Sequence, residues 1–273
     1  MKCISARDNL NLTAVRCLIT EVLTLSRLEH PFVVSMLGYC FEPCICLVME
    51  LVPGGNLADL LSCESVPLLW TSLLTLAMQV GSALQFLHGQ RPSAIVHTDV
   101  KARNILLVDA GSCKLADFGL ARVWSRNMHP ALRAHGIVAG SGRYIAPEVL
   151  RGQAISPAAD IWSFGVTMWE MSLRRRFPSR DAYVVVPSGG HSTHVPRWKR
   201  TLDKYARHVT NPPQELKRVI ALCLSVDPRK RPTSDEVFFE FLYLADDASR
   251  GSSNTAELPL AVVKDEADAG DDG

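Results

Sequence analysis

The sequence predicts an α+β protein of two lobes, a small strand-rich lobe followed by a larger helical one. Two β-rich runs precede the Pro-Gly segment at residues 52–55, and longer stretches with apolar residues at helical intervals follow it. The 273 residues are enough for two lobes with a buried core, and 47% apolar content is ordinary for a globular protein. We expect the small lobe at residues 1–52 and the large lobe at 53–245.

One helix between short strands is predicted for the small lobe. Residues 1–5 indicate a short strand, and residues 12–28 place apolar side chains at helical intervals. Residues 32–40 and 44–51 are β-rich runs on either side of a turn at Glu42-Pro43. The small lobe is therefore expected to be a short sheet with one amphipathic helix.

The large lobe is predicted to be mainly helical. A short helix ends near residue 63, and a long one follows at 69–88. Two short strands, "ILLV" and "CKLA", flank a turn at 109–111. From Pro147 onward the pattern is helical, apart from an irregular stretch at residues 177–200.

Charge is spread unevenly along the chain. The net charge is +1, but residues 246–273 carry −6, which leaves +7 on the rest. We expect these last residues to be a disordered acidic tail, either solvated or docked on the basic body. The basic excess is modest, so neither nucleic acid nor a membrane surface is expected to be a partner.

The eight cysteines indicate a reducing compartment. They are scattered, and Cys40-x3-Cys44-x-Cys46 lacks a second ligand pair at zinc-finger spacing. Without a disulfide-dense pattern, a signal peptide or a membrane-spanning apolar stretch, a cytoplasmic location is expected. The alternative is that this is the cytosolic portion of a longer membrane protein.

The stretch "AIVHTDVKARNILL" at residues 94–107 sets Asp99, Lys101 and Asn104 between two apolar runs. Four motifs follow in order: "DFG" at 117–119, "APE" at 146–148, "DIWSFGV" from Asp160 and "DPRKRPT" at 227–233. Together they resemble the protein kinases, over roughly residues 1–245. The resemblance implies the bilobal protein-kinase fold, with an incomplete small β-rich N-lobe and a larger helical C-lobe.

The same resemblance implies ATP-dependent transfer of the γ-phosphate to a protein hydroxyl, with ATP and Mg²⁺ as cofactors. Asp99 would accept or orient the substrate hydroxyl, and Lys101 would offset charge at the γ-phosphate. Asn104 and Asp117 would be the metal ligands, because Mg²⁺ prefers oxygen donors shared with the phosphates.

Six further residues are implied to line the ATP site: Lys2, Glu21, Met49, Glu50, Val52 and Leu106. Lys2 lies nineteen residues before Glu21, a spacing that suits the strand-lysine and helix-glutamate pair of the family. Met49 would stand beside the adenine pocket, and Glu50 and Val52 would offer backbone groups to the adenine edge.

Structural roles are also implied by the resemblance. Glu148 and Arg231 would form a buried ion pair, and Asp160 would hold the backbone of the catalytic loop. Leu25 and Met36 would form an apolar stack between the lobes. The remaining structural residues are His97 and Phe118 of that stack, Gly119 of the "DFG" motif, and Ser141 near the catalytic Asp.

The branch of the family is predicted from a few positions. Lys101, Ser141 and "RYIAPE" are typical of serine/threonine kinases, whereas Arg103 leans towards tyrosine kinases. "SRLEHPFVVSMLGYC" and the tryptophans at 162 and 169 resemble the tyrosine-kinase-like group of serine/threonine kinases. We expect a serine or threonine of a protein substrate to be the acceptor.

The sequence departs from the family in two places. Thr98 replaces an Arg that commonly clamps a phosphate on the activation loop, so we expect activity independent of phosphorylation of that loop. No Gly-x-Gly-x-x-Gly precedes Lys2, so the N-lobe is expected to be truncated. The alternative function is therefore a pseudokinase that binds partners without transferring phosphate.

Overall fold

The computed structural model of the protein describes the backbone alone of residues 2–4 and 251. It describes backbone and side chains of residues 12–42, 45–63, 66, 68–109, 111–125, 142–174 and 214–250. The stretch at 177–200 and the last residues of the acidic tail lie outside these ranges.

A three-stranded antiparallel sheet and one helix make up the described part of the small lobe. The strands are β1 (Lys2–Ile4), β2 (Met36–Cys40) and β3 (Ile45–Met49), in the order β1-β3-β2. Helix α1 (Leu12–Leu25) buries Leu18, Glu21, Val22 and Leu25. All four elements were predicted, because the period of apolar residues changes from helical to alternating between them.

Residues 32–34 attach the small lobe to the large one. The Leu115 N–H donates to the Phe32 carbonyl at 2.9 Å, and the Val34 N–H donates to the Leu115 carbonyl at 3.0 Å. Leu115 belongs to β6 (Cys113–Leu115), which pairs antiparallel with β5 (Ile105–Leu107). The predicted pair of short strands therefore lies between the two lobes.

The segment after the small lobe packs directly on β5. Gly54 donates its N–H to the Leu107 carbonyl at 2.8 Å, and a Cβ at Gly54 would lie 2.4 Å from that oxygen. Only glycine allows this approach. Helix α2 (Leu57–Ser62) then begins at Asn56, whose side chain accepts a hydrogen bond from the Asp59 N–H at 3.1 Å.

The large lobe is built on a central buried helix. Its helices are α3 (Trp70–His88), α4 (Pro147–Leu150), α5 (Pro157–Leu173), α6 (Gln214–Cys223) and α7 (Ser234–Gly251). Every residue of α5 from 159 to 173 is buried, and these residues include the carboxylates of Asp160 and Glu170. Helix α7 packs along α3, and α6 packs on α5.

Two details of the large lobe differ from the sequence prediction. Strands β4 (Ala94–Val96) and β7 (Arg122–Trp124) pair with each other, and neither was predicted, because no turn in the sequence joins them as one joins β5 to β6. Helix α7 continues to Gly251, so the predicted start of the disordered tail at residue 246 is wrong. A capping box at Thr233 and Glu236 starts this helix.

Among the described residues, no helix is both long enough and apolar enough to cross a bilayer.

Candidate active site

The catalytic loop is the segment that joins β4 to β5. It follows Val96, and a 3₁₀ turn at Ala102–Asn104 leads it into β5. Val100 and Ala102 are buried, so the backbone of the loop is packed against the core while its polar side chains face one another. The loop thus lies between two antiparallel strand pairs, β4 with β7 and β5 with β6.

Asp160, from the first turn of α5, holds the start of this loop. Its Oδ2 accepts the His97 N–H at 2.7 Å, and its Oδ1 accepts the Thr98 N–H at 2.8 Å. The His88 Nε2 lies 2.9 Å from Oδ2. Because Asp160 is fully buried, these partners replace the water that its carboxylate loses on folding.

Asp99 is buried and is contacted by the two other residues of its predicted triad. The Lys101 Nζ lies 2.5 Å from Asp99 Oδ2. The Asn104 Nδ2 donates to the same oxygen at 3.0 Å and to the Asp99 carbonyl at 2.8 Å. Asp99 Oδ1 is buried, and no residue in the described ranges hydrogen-bonds to it.

The amide of Asn104 has a direction fixed by these bonds. Its nitrogen faces Asp99, so its Oδ1 points away from that residue, since the two atoms diverge from one carbon. An outward amide oxygen is suited to a hard cation.

His97 is fully buried beneath the loop. Its Nε2 lies 3.1 Å from the Ala116 carbonyl, and its Nδ1 accepts the Asp99 N–H at 3.3 Å, which assigns the neutral ring with its proton on Nε2. Burial lowers the pKa of His97 below its usual 6.5, although the nearby Asp160 and Asp99 carboxylates oppose this effect. The Phe118 ring lies 4.7 Å from the His97 ring, centroid to centroid.

The "DFG" segment connects this site to the small lobe. The Phe118 N–H donates to Glu21 Oε1 at 3.3 Å, so the predicted glutamate of α1 reaches the segment directly. Asp117 has φ of 68°, in the left-handed region. A Cβ on Gly119 would lie 3.3 Å from the Cys17 Cβ, so a larger residue there would press on α1.

Lys2 is placed by its backbone only. It lies in β1 opposite Leu47 of β3, in the same lobe as α1. Its side chain lies outside the described residues, so the predicted pairing of Lys2 with Glu21 stays a prediction.

The predicted adenine-binding residues lie along one edge between the lobes. Met49, Val52 and Leu106 are half-buried and pack against the core. The Glu50 N–H donates to the Ser35 carbonyl at 3.0 Å. The backbone group that Glu50 would offer to the adenine edge is therefore its own carbonyl. Residue 106 bridges to Asn56, so the edge continues from the hinge onto β5.

The carboxylate of Glu50 has a partner that the sequence did not indicate. Its Oε1 accepts from the Lys114 Nζ at 2.6 Å and from the Ser35 N–H at 2.7 Å. Burial alone would raise the pKa of Glu50, but the bonds from Lys114 and Ser35 lower it below its usual value. Lys114 is 64 positions away in sequence, so no local pattern could have indicated the pair.

Glu148 and Arg231 of the large lobe form the predicted ion pair. The Arg231 Nη1 and Nη2 each lie 2.6 Å from a different oxygen of Glu148, and both side chains are buried. Arg231 also donates to the carbonyls of Ala158 and Ser225. This fork joins α4, the start of α5 and the turn before α7. Ser141 lies outside the described residues.

The comparisons with known proteins agree with this arrangement. The family model described as "Protein tyrosine and serine/threonine kinase" matches residues 2–241 of the chain. The chain belongs to the protein kinase family. The match includes both lobes of the kinase and every described site residue, which confirms the predicted family and bilobal fold.

Curated relatives identify the branch of this kinase. It is 32% identical over 84% of its length to the probable serine/threonine-protein kinase drkD of Dictyostelium discoideum. It is 31% identical over 81% to human mitogen-activated protein kinase kinase kinase 7, and 32% over 78% to human mitogen-activated protein kinase kinase kinase 10. These relatives support the predicted tyrosine-kinase-like group of serine/threonine kinases.

The kinase chain spans only a part of these relatives. It corresponds to 17% of the Dictyostelium protein and 34% and 21% of the two human ones. The kinase family as a whole uses ATP with a divalent metal ion and acts on proteins, which is the general expectation for this member.

Proposed function

We propose that the chain transfers the γ-phosphate of ATP to serine and threonine hydroxyls of a protein substrate. One observation carries the proposal: the buried Asp99 Oδ1 lacks a hydrogen-bond partner among the described residues, while Oδ2 is held by Lys101 and Asn104. An unsatisfied buried acceptor costs free energy, about 1–3 kcal/mol, and a substrate hydroxyl would remove that cost. Asp99 is therefore ready to receive the proton.

Lys101 has the position expected of a charge-neutralising group. Its Nζ is 2.5 Å from Asp99 Oδ2, so a phosphate that approaches the acceptor hydroxyl also approaches this ammonium. Negative charge spreads over the transferring phosphoryl oxygens in the transition state, and a fixed cation stabilises it there. A lysine two residues after the Asp also supports serine/threonine rather than tyrosine specificity.

The donor set at Asn104 and Asp117 fits Mg²⁺. Among the described residues, no cluster of three His, Cys, Asp or Glu side chains could hold a metal, so a protein-only cage is not expected there. Mg²⁺ usually combines one or two protein oxygens with substrate phosphates and water. Asn104 Oδ1 and the Asp117 carboxylate supply two such oxygens. When bound, the ion neutralises the phosphates.

The remaining residues bind and orient. Glu21 holds the Phe118 N–H, and Asp160 holds the His97 and Thr98 N–H groups, so both ends of the site have fixed backbones. Met49, Val52 and Leu106 offer the apolar surface for a purine. No described residue favours the pseudokinase alternative, and Asp99, Lys101, Asn104 and Asp117 are all retained in the sequence.

The test is phosphate transfer from labelled ATP to a serine-containing protein substrate. We expect Asp99→Asn to lower kcat by about 10²–10⁴-fold, the usual contribution of a positioned base. Asn keeps the shape and can still accept from Lys101, so nucleotide affinity should change little. Transfer by the Asp99→Asn chain at the wild-type rate would contradict the proposal.

A further inference from the structure

A small cavity lies beside the catalytic loop. Its volume is about 190 Å³. It is lined by the following residues of the catalytic loop, α2, the segment before α4, and α5: Ala58, Leu61, Ser62, Lys101, Ala102, Arg103, Arg143, Tyr144, Glu170 and Arg174. None of the predicted adenine-binding residues is among them, so this cavity is separate from the nucleotide edge.

The charges around the cavity are mostly positive. Four of the five charged side chains that line it are basic, namely Lys101, Arg103, Arg143 and Arg174, and Glu170 is the acidic one. Glu170 is buried, and its Oε2 accepts a hydrogen bond from the Tyr144 hydroxyl at 2.5 Å. The four basic side chains outnumber this single carboxylate, so the lining retains a positive excess.

Arg174 is fixed in the wall. It ends α5 in a left-handed conformation, with φ of 48°. Its guanidinium donates to the carbonyls of Cys63 and Val66, with Nη1 at 2.8 Å from the latter. Carbonyl oxygens satisfy its N–H groups but leave its full charge, so Arg174 contributes a permanent positive potential.

Arg103 is the arginine best placed to receive a ligand. Its side chain is exposed, and it forms no ion pair with any residue in the described ranges. It lies between Lys101 and Asn104 of the loop, next to the groups around Asp99. A guanidinium can bind a carboxylate or phosphate through two parallel hydrogen bonds.

We propose that this cavity binds an acidic side chain of the protein substrate close to the acceptor hydroxyl. The proposal rests on the function proposed above and names its substrate class. The volume is below the roughly 300 Å³ at which small-molecule sites begin, so it suits one side chain rather than a whole ligand. Lys101 touches both Asp99 and the cavity, so the acidic residue lies within a few positions of the phosphorylated one.

The experiment measures kcat/KM of the full chain on peptides with a single serine. Glu, Gln or Lys is placed in turn at each nearby position. We expect Glu to exceed Gln at one position by about fivefold, because partly exposed charge pairs contribute about that much, and Lys to fall below Gln. A Glu/Gln ratio of one at every position would overturn the proposal.

Matched variants locate the preference. In Arg103→Gln combined with Arg143→Gln, the Glu/Gln ratio should fall close to one. Arg218→Gln is the control, since Arg218 is an exposed arginine of α6 that pairs with Glu240 instead; it should keep the wild-type ratio. A ratio that survives in the double variant would place the preference elsewhere and overturn the proposal.

Two further measurements separate the possible outcomes. If no peptide is phosphorylated, the proposed function fails, yet fluorescence anisotropy of labelled Glu and Gln peptides still tests the cavity. Tighter binding of the Glu peptide to wild type, but not to the double variant, supports it, and equal binding overturns it. A phosphoserine peptide that exceeds the Glu peptide would assign the acidic group to a previously phosphorylated substrate, and the reverse would assign it to Asp or Glu.

Discussion

At the scale of single residues, the catalytic loop depends on backbone conformations that side chains hold in place. Thr98 has φ of 65°, unusual for a β-branched residue, and its hydroxyl donates to the Leu120 carbonyl at 2.7 Å. This bond joins the catalytic loop to the chain just after the "DFG" motif. The contact is made by an uncharged hydroxyl and forms without a phosphate.

The Thr98 bond supports the prediction that activity does not require phosphorylation of the activation segment. We expect Ser125→Ala, and the chain treated with phosphatase, to keep most of the wild-type rate of phosphate transfer. The measurement is initial rate before and after treatment, with Thr98→Ser as the control that keeps the hydroxyl. A loss of an order of magnitude in Ser125→Ala would count against the prediction.

The burial of His97 leads to a prediction of how the free energy of unfolding depends on pH. Its pKa in the folded protein lies below 6.5 because of burial, so below that pH the unfolded chain binds a proton that the folded one does not. The contribution of His97 to the free energy of unfolding is therefore at its maximum above pH 6.5. It is lost as the pH falls through the pKa that His97 has in the folded protein. We expect the free energy of unfolding to drop by up to about 1.4 kcal/mol per pH unit.

Urea unfolding between pH 7.5 and 5.5 checks this, with His97→Gln as the comparison. A glutamine amide can donate to the Ala116 carbonyl and accept from the Asp99 N–H, but it does not titrate. The variant should be less stable at neutral pH and should depend less steeply on pH. Equal slopes for the two proteins would show that other groups, such as the partly buried His30, carry the dependence.

At the scale of elements, the core of the large lobe depends on how closely two helices approach. Gly165 of α5 faces the end of α6, and a Cβ there would lie 2.7 Å from the Cys223 Cβ and 3.2 Å from the Leu224 side chain. Both neighbours are buried, so neither can move aside freely. Burial also raises the pKa of the Cys223 thiol to about 12, which keeps it neutral.

We expect Gly165→Ala to destabilise the protein by about 1–3 kcal/mol, the usual cost of overpacking a core. Alanine has a higher helix propensity than glycine, which by itself would stabilise the variant. A net loss of stability would therefore show that the steric contact with Cys223 dominates. Thermal unfolding is the measurement. The control is Gly38→Ala in β2, where a Cβ would meet nothing within 4 Å; there the change should be within about 0.5 kcal/mol. A similar effect at both sites would contradict the explanation.

At the scale of the whole molecule, the two lobes meet at the nucleotide edge. Residues of the small lobe, Glu21 and Glu50, reach Phe118 and Lys114 of the large one, and Leu115 bonds to Phe32. A ligand that touches both lobes should therefore stabilise the folded molecule as one unit.

We expect ADP with Mg²⁺ at about 100 times its Kd to stabilise the protein by about 2.7 kcal/mol, and thus to raise Tm by roughly 5–10 °C. Because Asn104 and Asp117 would hold the ion, chelation of Mg²⁺ should remove most of the shift. Asp117→Asn should show a smaller shift than wild type at the same nucleotide concentration. An equal shift with and without the metal would contradict their assignment as ligands.

The sequence by itself determined the family and the two lobes, and it predicted the residues at the centre of the candidate site. Asp99, Lys101 and Asn104 lie within six positions of one another, so a short motif contains most of their geometry. The long helices were also predictable, because each repeats the helical period several times.

Only the tertiary structure decided which distant groups meet. Lys114 pairs with Glu50, and His88 with Asp160, across long stretches of sequence. The four basic side chains around the cavity come from three segments, and local periodicity does not encode such contacts. Strands β4 and β7 were found only in the structure, because they are distant in sequence and no turn joins them. Asp99 Oδ1 is buried and has no hydrogen-bond partner among the described residues. This is also a result of tertiary packing, because the burial of one atom depends on the whole fold.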